Sequence, residues 1–247
     1  KNTTSNFKNN FYKNIDQLHL APLWDVLSNL VTDFPKTKAV PHMWQWKKVK
    51  EHVLTAGEVI TAEEAERRVL VLENPGMKGE SKITDTLYAG LQLILPGEIA
   101  PSHRHTQSAL RFIIEGKGAY TTVDGEKTRM FPGDFIITPS WTWHDHGNES
   151  SDPMIWLDGL DIPIINQFTS SFAEKLGQKR QILQKPEGDS IARYGSGLLP
   201  VNNTISSDKV SPVFSYPFSR TREALEKIKN NDKWDKSHGI RLKYTNP

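Results

Sequence analysis

Residues 97–116 read GEIAPSHRHTQSALRFIIEG, and residues 132–148 read PGDFIITPSWTWHDHGN. These stretches hold two His-x-His pairs, His103 with His105 and His144 with His146, in a chain that has 8 histidines and no cysteine. Residues two apart on a β-strand project from one face, so each pair can aim both imidazoles at a single point. Neutral imidazole suits iron, copper, nickel and zinc, and without cysteine histidine must be the main ligand. His103 and His105 would supply two ligands from one strand. His144 or His146 would bring a third from a neighbouring strand.

The flanking sequence is β in character. Asp85–Leu95 alternates, with Leu87, Ala89, Leu91, Leu93 and Leu95 on one face and Tyr88, Gly90, Gln92 and Ile94 on the other. Strands are expected at Ile99–His105, Ala109–Glu115 and Lys117–Val123, then a turn at Asp124-Gly125, a hairpin dipeptide. Further strands are expected at Lys127–Met130, Phe135–Thr138, Thr142–Gly147 and Met154–Gly159. Short, evenly spaced strands with Gly and Pro between them indicate a mainly β sandwich or small barrel.

The ends differ. Residues 1–10 are polar and read as a frayed arm, and Asn14–Val31 reads as two short helices interrupted at Pro22. The run Ala39–Trp46 reads as an apolar segment laid over the surface or over a partner subunit. Thr61 with Glu64 three residues on makes a capping box, predicting a helix to about Leu72 that carries Arg67 and Arg68. After Ile164, Ser170–Leu176 and Arg222–Lys229 read as helices, and Gln181–Asp208 as a polar linker. The expected organisation is an N-terminal arm with helices (residues 1–75), a barrel (76–168), and a linker with a helical segment (169–247).

Bulk properties exclude some classes. With 31 basic and 29 acidic residues and no long run of one sign, nothing suggests nucleic-acid binding. The apolar stretch at Leu91–Pro96 is too short to span a bilayer, and no leader is visible, so no membrane partner is expected. A chain without cysteine fits the cytoplasm.

The spacing Gly97-x5-His103-x-His105 with Gly116, followed by Gly133-x5-Pro139-x4-His144-x3-Asn148, resembles the two motifs of the cupin superfamily. That resemblance implies a jelly-roll barrel with N-terminal helices, and His103, His105 and His144 as metal ligands. Two positions depart from the pattern. Ala109 stands where cupins carry a glutamate ligand, and Trp141 where they carry a glycine. If strand parity holds, Arg111 presents a cation on the same face, suited to a substrate carboxylate.

More narrowly, PSHRHTQSALRFIIEGKGAYTTVDGE, PGDFIITPSWTWHDHGNES and MIWLDGLDIP resemble gentisate 1,2-dioxygenase and its salicylate- and hydroxynaphthoate-cleaving relatives. The likeness runs from about Trp24 to YTNP at residues 244–247. It implies Fe(II), an aromatic hydroxy acid and O2, with gentisate opened to maleylpyruvate. Arg111 and Arg67 would hold the substrate carboxylate and ring oxygens. His146 would hydrogen-bond the phenolate or oxygen and move a proton, and Asp158 would orient His146 or meet the second hydroxyl. Gln92 and Trp156 fall in the family's substrate pocket, and Tyr88 favours gentisate over salicylate. Read as residues alone, Asp158 is also compatible with a turn, Trp156 with the core and Arg67 with the surface. A related salicylate or 1-hydroxy-2-naphthoate dioxygenase, a different metal-dependent cupin enzyme and a non-catalytic ligand-binding cupin are the competing readings. The family's second barrel, which supports assembly as a homotetramer, is expected to be missing from this sequence.

Overall fold

In a computed structural model describing residues 2–197, 201 and 211–245, the short strands build two antiparallel sheets. In chain order they are β1 (Val69–Val71), β2 (Tyr88–Ile94), β3 (Ile99–His105), β4 (Ala109–Glu115), β5 (Ala119–Val123) and β6 (Glu126–Arg129). Then follow β7 (Phe135–Thr138), β8 (His144–Asn148), β9 (Met154–Leu160), β10 (Ala173–Lys175) and β11 (Ser215–Tyr216). One sheet has the order β1-β2-β9-β4-β7-β11, the other β10-β3-β8-β5-β6. The two central sets, β2-β9-β4-β7 and β3-β8-β5-β6, have the interleaved order of the expected jelly roll.

Period-two alternation fills the space between the sheets. Ile94, Ile113, Val123, Met130, Ile136, Met154 and Trp156 form one buried cluster drawn from both. On β2 this puts Gln92 inside with Ile94, while Leu91 and Leu93 face outward under the helix Trp46–Val59. No sequence expectation covers that helix. Its apolar face, Trp46, Val49, Val53 and Leu54, completes an outer cluster, and Trp46 donates from Nε1 to Glu115 at 2.9 Å.

Turns fall where the glycines require them. Asp124 and Gly125 both have positive φ, 42° and 77°, as a type I′ hairpin needs. Gly97, Gly116 and Gly133 are all left-handed. So is Trp141, at φ 64°, at the position where the motif carries a glycine.

Several expectations are corrected. The capping box at Thr61 forms, but its helix spans only Ala62–Ala65 and ends at Glu66 with φ 52°. The chain is instead drawn into β1 by buried Arg68, whose guanidinium bridges Glu98 at 2.8 and 2.9 Å and whose Nε donates to Ile60 O. Ser170–Leu176 is not helical: Ala173–Lys175 pairs with the edge of β3. Residues 181–208 contain a helix, Asp189–Tyr194, anchored by buried Glu126, which accepts from Ser190 N and Oγ. Positions 198–200 and 202–208 of that stretch, and 246–247 of YTNP, lie outside the described residues. The helix expected at Arg222–Lys229 is contained in Phe218–Ile228 and its cap.

Residues 1–38 form a separate compact unit. The expected frayed arm is part of a helix, Asn2–Gln17, in which Phe7, Phe11 and Ile15 repeat at four-residue spacing. Leu23–Leu30 begins behind Pro22, as expected, and Trp24 Nε1 donates to Tyr12 Oη at 2.9 Å. No helix among the described residues is long and apolar enough to cross a membrane.

Candidate metal centre and substrate pocket

His103 and His144 are paired residues on the adjacent strands β3 and β8. The register shifts between Ala100 and His103, a bulge that re-aims the end of β3. Ring centroids of His103, His105 and His144 lie 4.1–5.2 Å apart, and one nitrogen from each falls within 4.8 Å of the others. His144 Nδ1 meets the Thr142 carbonyl at 3.0 Å, and His105 Nδ1 meets the Gln107 carbonyl at 2.8 Å. A carbonyl accepts only, so both rings carry their proton on Nδ1 and turn an Nε2 lone pair inward. His144 Nε2 is buried without a hydrogen-bond partner among the described residues.

Burial keeps these rings neutral. His103 is pushed down to about 3 by desolvation and then by Arg67. His144 falls well below the usual range through burial and then His103. His105 is also lowered, by burial first. Three neutral imidazoles, two of them (His105 and His144) already oriented through Nδ1, fit a divalent first-row transition metal and would leave open positions on it. Ala109, buried at the start of β4, brings no carboxylate to the set.

Arg111 is 3% exposed, at the centre of β4, with Asp158 its neighbour on β9. Its Nη1 donates to Thr138 Oγ1 at 2.5 Å and its Nε lies 3.3 Å from Asp158 Oδ1. Arg111 lies in the interior, but not by sharing a strand face with the histidines, as strand parity predicts. The histidines and Arg111 occupy different sheets, and the chain crosses between them at residues 106–108.

The remaining candidates surround the same interior. His146, on β8, is buried beside Trp156, with ring centroids 5.6 Å apart, and burial followed by Arg111 lowers its pKa well below the usual range. Trp156 belongs to the core, as the residue-level reading has it, and its ring also lies against His146. Gln92 pairs with Trp156 across β2 and β9 and is 3% exposed, and the half-buried Tyr88 has its phenol pushed up to about 12 by burial and then by Asp158. Arg67, carried past the short helix by the turn at Glu66, donates to Pro101 O at 2.8 Å and lies 2.5 Å from His103 Nδ1. Thr138 and the carbonyls of Thr142, Gln107 and Pro101 were not singled out in the sequence. Only the inward parity of Thr138 with Ile136 offered a signal.

Arg111 Nε, Asp158 Oδ1, His146 Nδ1 and Trp156 Nε1 are all buried without an aligned hydrogen-bond partner among the described residues. Orphaned polar atoms of this density are uncommon in a finished core and mark where a polar ligand would be met. Two guanidiniums against one carboxylate make the interior suited to an anion.

Comparison with known proteins agrees with this chemistry. A Cupin domain family model matches residues 90–160. The chain is 56% identical over 237 residues to gentisate 1,2 dioxygenase 1 of Aquipseudomonas alcaligenes, covering 96% of this chain and 68% of that protein. It is 41% identical to a gentisate 1,2-dioxygenase of Ralstonia sp, covering 94% of this chain and 65% of the relative. The crystal structure of a salicylate 1,2-dioxygenase from Pseudoaminobacter salicylatoxidans with gentisate superposes with a TM-score of 0.81 at 37% identity, covering 92% of this chain and 62% of that one. The chain thus spans between 62% and 68% of the length of these relatives.

Proposed function

The chain belongs to the gentisate 1,2-dioxygenase family, and from that premise we propose that it opens the ring of gentisate with O2 to give maleylpyruvate, using Fe(II) held by His103, His105 and His144. The observation that carries this reading is one cluster of three neutral imidazoles facing a buried guanidinium, with alanine where a fourth ligand would stand. His103, His105 and His144 would hold Fe(II), which when bound would supply the redox chemistry that joins ring and dioxygen. The bond broken joins the carboxyl-bearing carbon to its hydroxylated neighbour, and both atoms of O2 end in the product.

The protein's own groups do the rest. Arg111 and Arg67 pair with the substrate carboxylate and ring oxygens, in a site from which the sheets exclude bulk water. Arg67 is lowered only to about 10 by burial and then by Arg111, so it stays charged at neutral pH. Neutral His146, whose Nδ1 has no partner among the described residues, hydrogen-bonds the phenolate or oxygen, and the anionic substrate would offset the positive field that lowers its pKa and let it pass a proton. Asp158 accepts from the second hydroxyl of gentisate. Tyr88, neutral at pH 7, offers a hydroxyl at the pocket wall where Gly90 leaves room, since a Cβ there would lie 2.8 Å from Tyr88 Oη. Gln92 and Trp156 form the floor.

Anaerobic loading with Fe(II), then oxygen-electrode assays with gentisate, salicylate and 1-hydroxy-2-naphthoate, tests the reading. Gentisate should be consumed fastest, one O2 per ring, with maleylpyruvate formed. Faster turnover of salicylate would reassign the substrate. Absence of uptake with all three would favour a non-catalytic metal-binding cupin.

A further inference from the structure

Arg104 stands between the two ligand histidines of β3 and projects from the opposite face of the strand. Its guanidinium lies over two indoles at once, 4.4 Å from the centroid of Trp141 and 4.5 Å from that of Trp143. Nε and Nη2 both donate to Glu174 Oε2, at 2.8 and 2.6 Å, and Glu174 is the partner of Arg104 in the β3–β10 ladder. The two tryptophans flank Thr142, whose carbonyl holds Nδ1 of His144. Trp141 N donates to His105 O at 2.8 Å, and the Trp141 ring rests on Phe172 at 4.7 Å. One cation therefore ties the strand bearing two histidines to the turn that orients the third, and both to the edge strand outside them.

The backbone at Trp141 points the same way. At φ 64° a bulky residue is disfavoured and glycine is comfortable. A tryptophan in that conformation needs compensation from its side chain, and stacking on a cation and on Phe172 is the compensation available.

We propose that Arg104 is a positioning residue for the metal centre: its stack between Trp141 and Trp143, locked by Glu174, sets the spacing of His103 and His105 against His144 and slows release of the bound metal. The inference rests on reading the three histidines as a metal site. Groups that orient ligands from outside change metal affinity by about 10–100-fold when removed.

Cobalt(II) is the probe, followed by its visible spectrum and by its release rate to excess EDTA. Arg104→Met keeps the stem but loses the plane and charge, and should release Co(II) about tenfold faster with an altered spectrum. Arg104→Lys, a point charge without a stacking plane, should fall between. Trp141→Gly separates positioning from general stability. Relief of the left-handed backbone alone would leave Co(II) release unchanged or slower, whereas loss of the stack speeds it. Lys127→Met removes a comparable cation, 4.2 Å over the Tyr120 ring and away from the histidines, and should release Co(II) at the wild-type rate. Should Arg104→Met fail to fold, Arg104→Lys and Glu174→Gln decide, and each must release Co(II) faster than wild type. Equal release rates in Arg104 variants and wild type would overturn the proposal, as would a lowered melting point of the metal-free protein with unchanged release. Wild type that binds Co(II) no better than His144→Ala would overturn the metal reading and the proposal together.

Discussion

Arg111 and Asp158 meet across the β4–β9 ladder at 3.3 Å, one 3% and the other 6% exposed, without an aligned hydrogen bond between Nε and Oδ1. Burial pushes the Asp158 carboxyl up from 3.8 to about 6, although Arg111 pulls it down. The desolvation of the anion therefore outweighs the attraction of the cation.

This has a pH signature. Between about pH 4 and 6 the folded protein holds the Asp158 proton more tightly than the unfolded chain does, so this group favours folding at low pH and loses that contribution as pH rises through about 6. Asparagine at 158 cannot titrate. The stability of wild type relative to Asp158→Asn should fall by roughly 2–3 kcal/mol between pH 4 and 7. Urea unfolding at each pH measures it, and a flat difference would mean that Asp158 titrates at its ordinary position.

His144 and His146 are expected to separate by assay. With His144 a proposed ligand whose Nε2 has no partner among the described residues, iron content and oxygen uptake of His144→Ala should both collapse. His146→Gln should keep its iron and lose turnover by about 10²–10⁴-fold, the range for removing a positioned acid–base group. Iron retention by His144→Ala would displace it from the ligand set.

Two glycines of the cupin motif should differ in cost. A Cβ on Gly97 (φ 79°) meets nothing within 4 Å, so Gly97→Ala costs only the left-handed backbone, about 1–2 kcal/mol. A Cβ on Gly116 (φ 89°) would lie 2.5 Å from Pro153 O and 2.9 Å from Met154 Cα. Backbone cannot rotate away, so Gly116→Ala should lose a further 1–3 kcal/mol or so. Equal denaturation midpoints would place the Gly116 turn elsewhere.

The contrast between those glycines and β10 shows what a sequence discloses. Period two, hairpin glycines and paired histidines are local signals, and they were enough for the strands β2 to β9 and the turn at Asp124-Gly125, while the choice of His144 over His146 beside His103 and His105 came from the family resemblance. Ser170–Leu176 carries Phe172, Ala173 and Leu176 at helical spacing, yet residues 173–175 are a strand because β3 offers an unpaired edge. Edge pairing is decided by a distant segment, and propensity cannot see it. The capping box announced the start of a helix at Thr61, while its end at Glu66 depended on the remote Glu98 partner of Arg68. Arg104 looked like any charged residue on the outer face of a strand, since its value lies in two indoles more than thirty residues on. Arg111 is proposed from its family position, and strand parity fails beside it because the chain changes sheets between β3 and β4.

Arg67 is caught between two duties. A guanidinium only donates, so its 2.5 Å contact makes His103 Nδ1 an acceptor and puts the ring proton on Nε2. Metal ligation through Nε2, the nitrogen that His105 and His144 direct inward, requires the opposite tautomer. Pro101 O, a backbone hydrogen-bond partner of the ring, would then accept from Nδ1–H. Arg67 must therefore leave His103 when the metal binds, and the substrate carboxylate is a better partner for it. Removing the competing contact and one nearby positive charge should tighten metal binding by on the order of 1–2 kcal/mol, about tenfold. Arg67→Met should thus bind Co(II) more tightly than wild type while its KM for gentisate rises. Titration of the metal-free proteins with Co(II) reads the first effect and oxygen uptake the second. Weaker Co(II) binding in Arg67→Met would mean that Arg67 supports His103 as a ligand rather than occupying it.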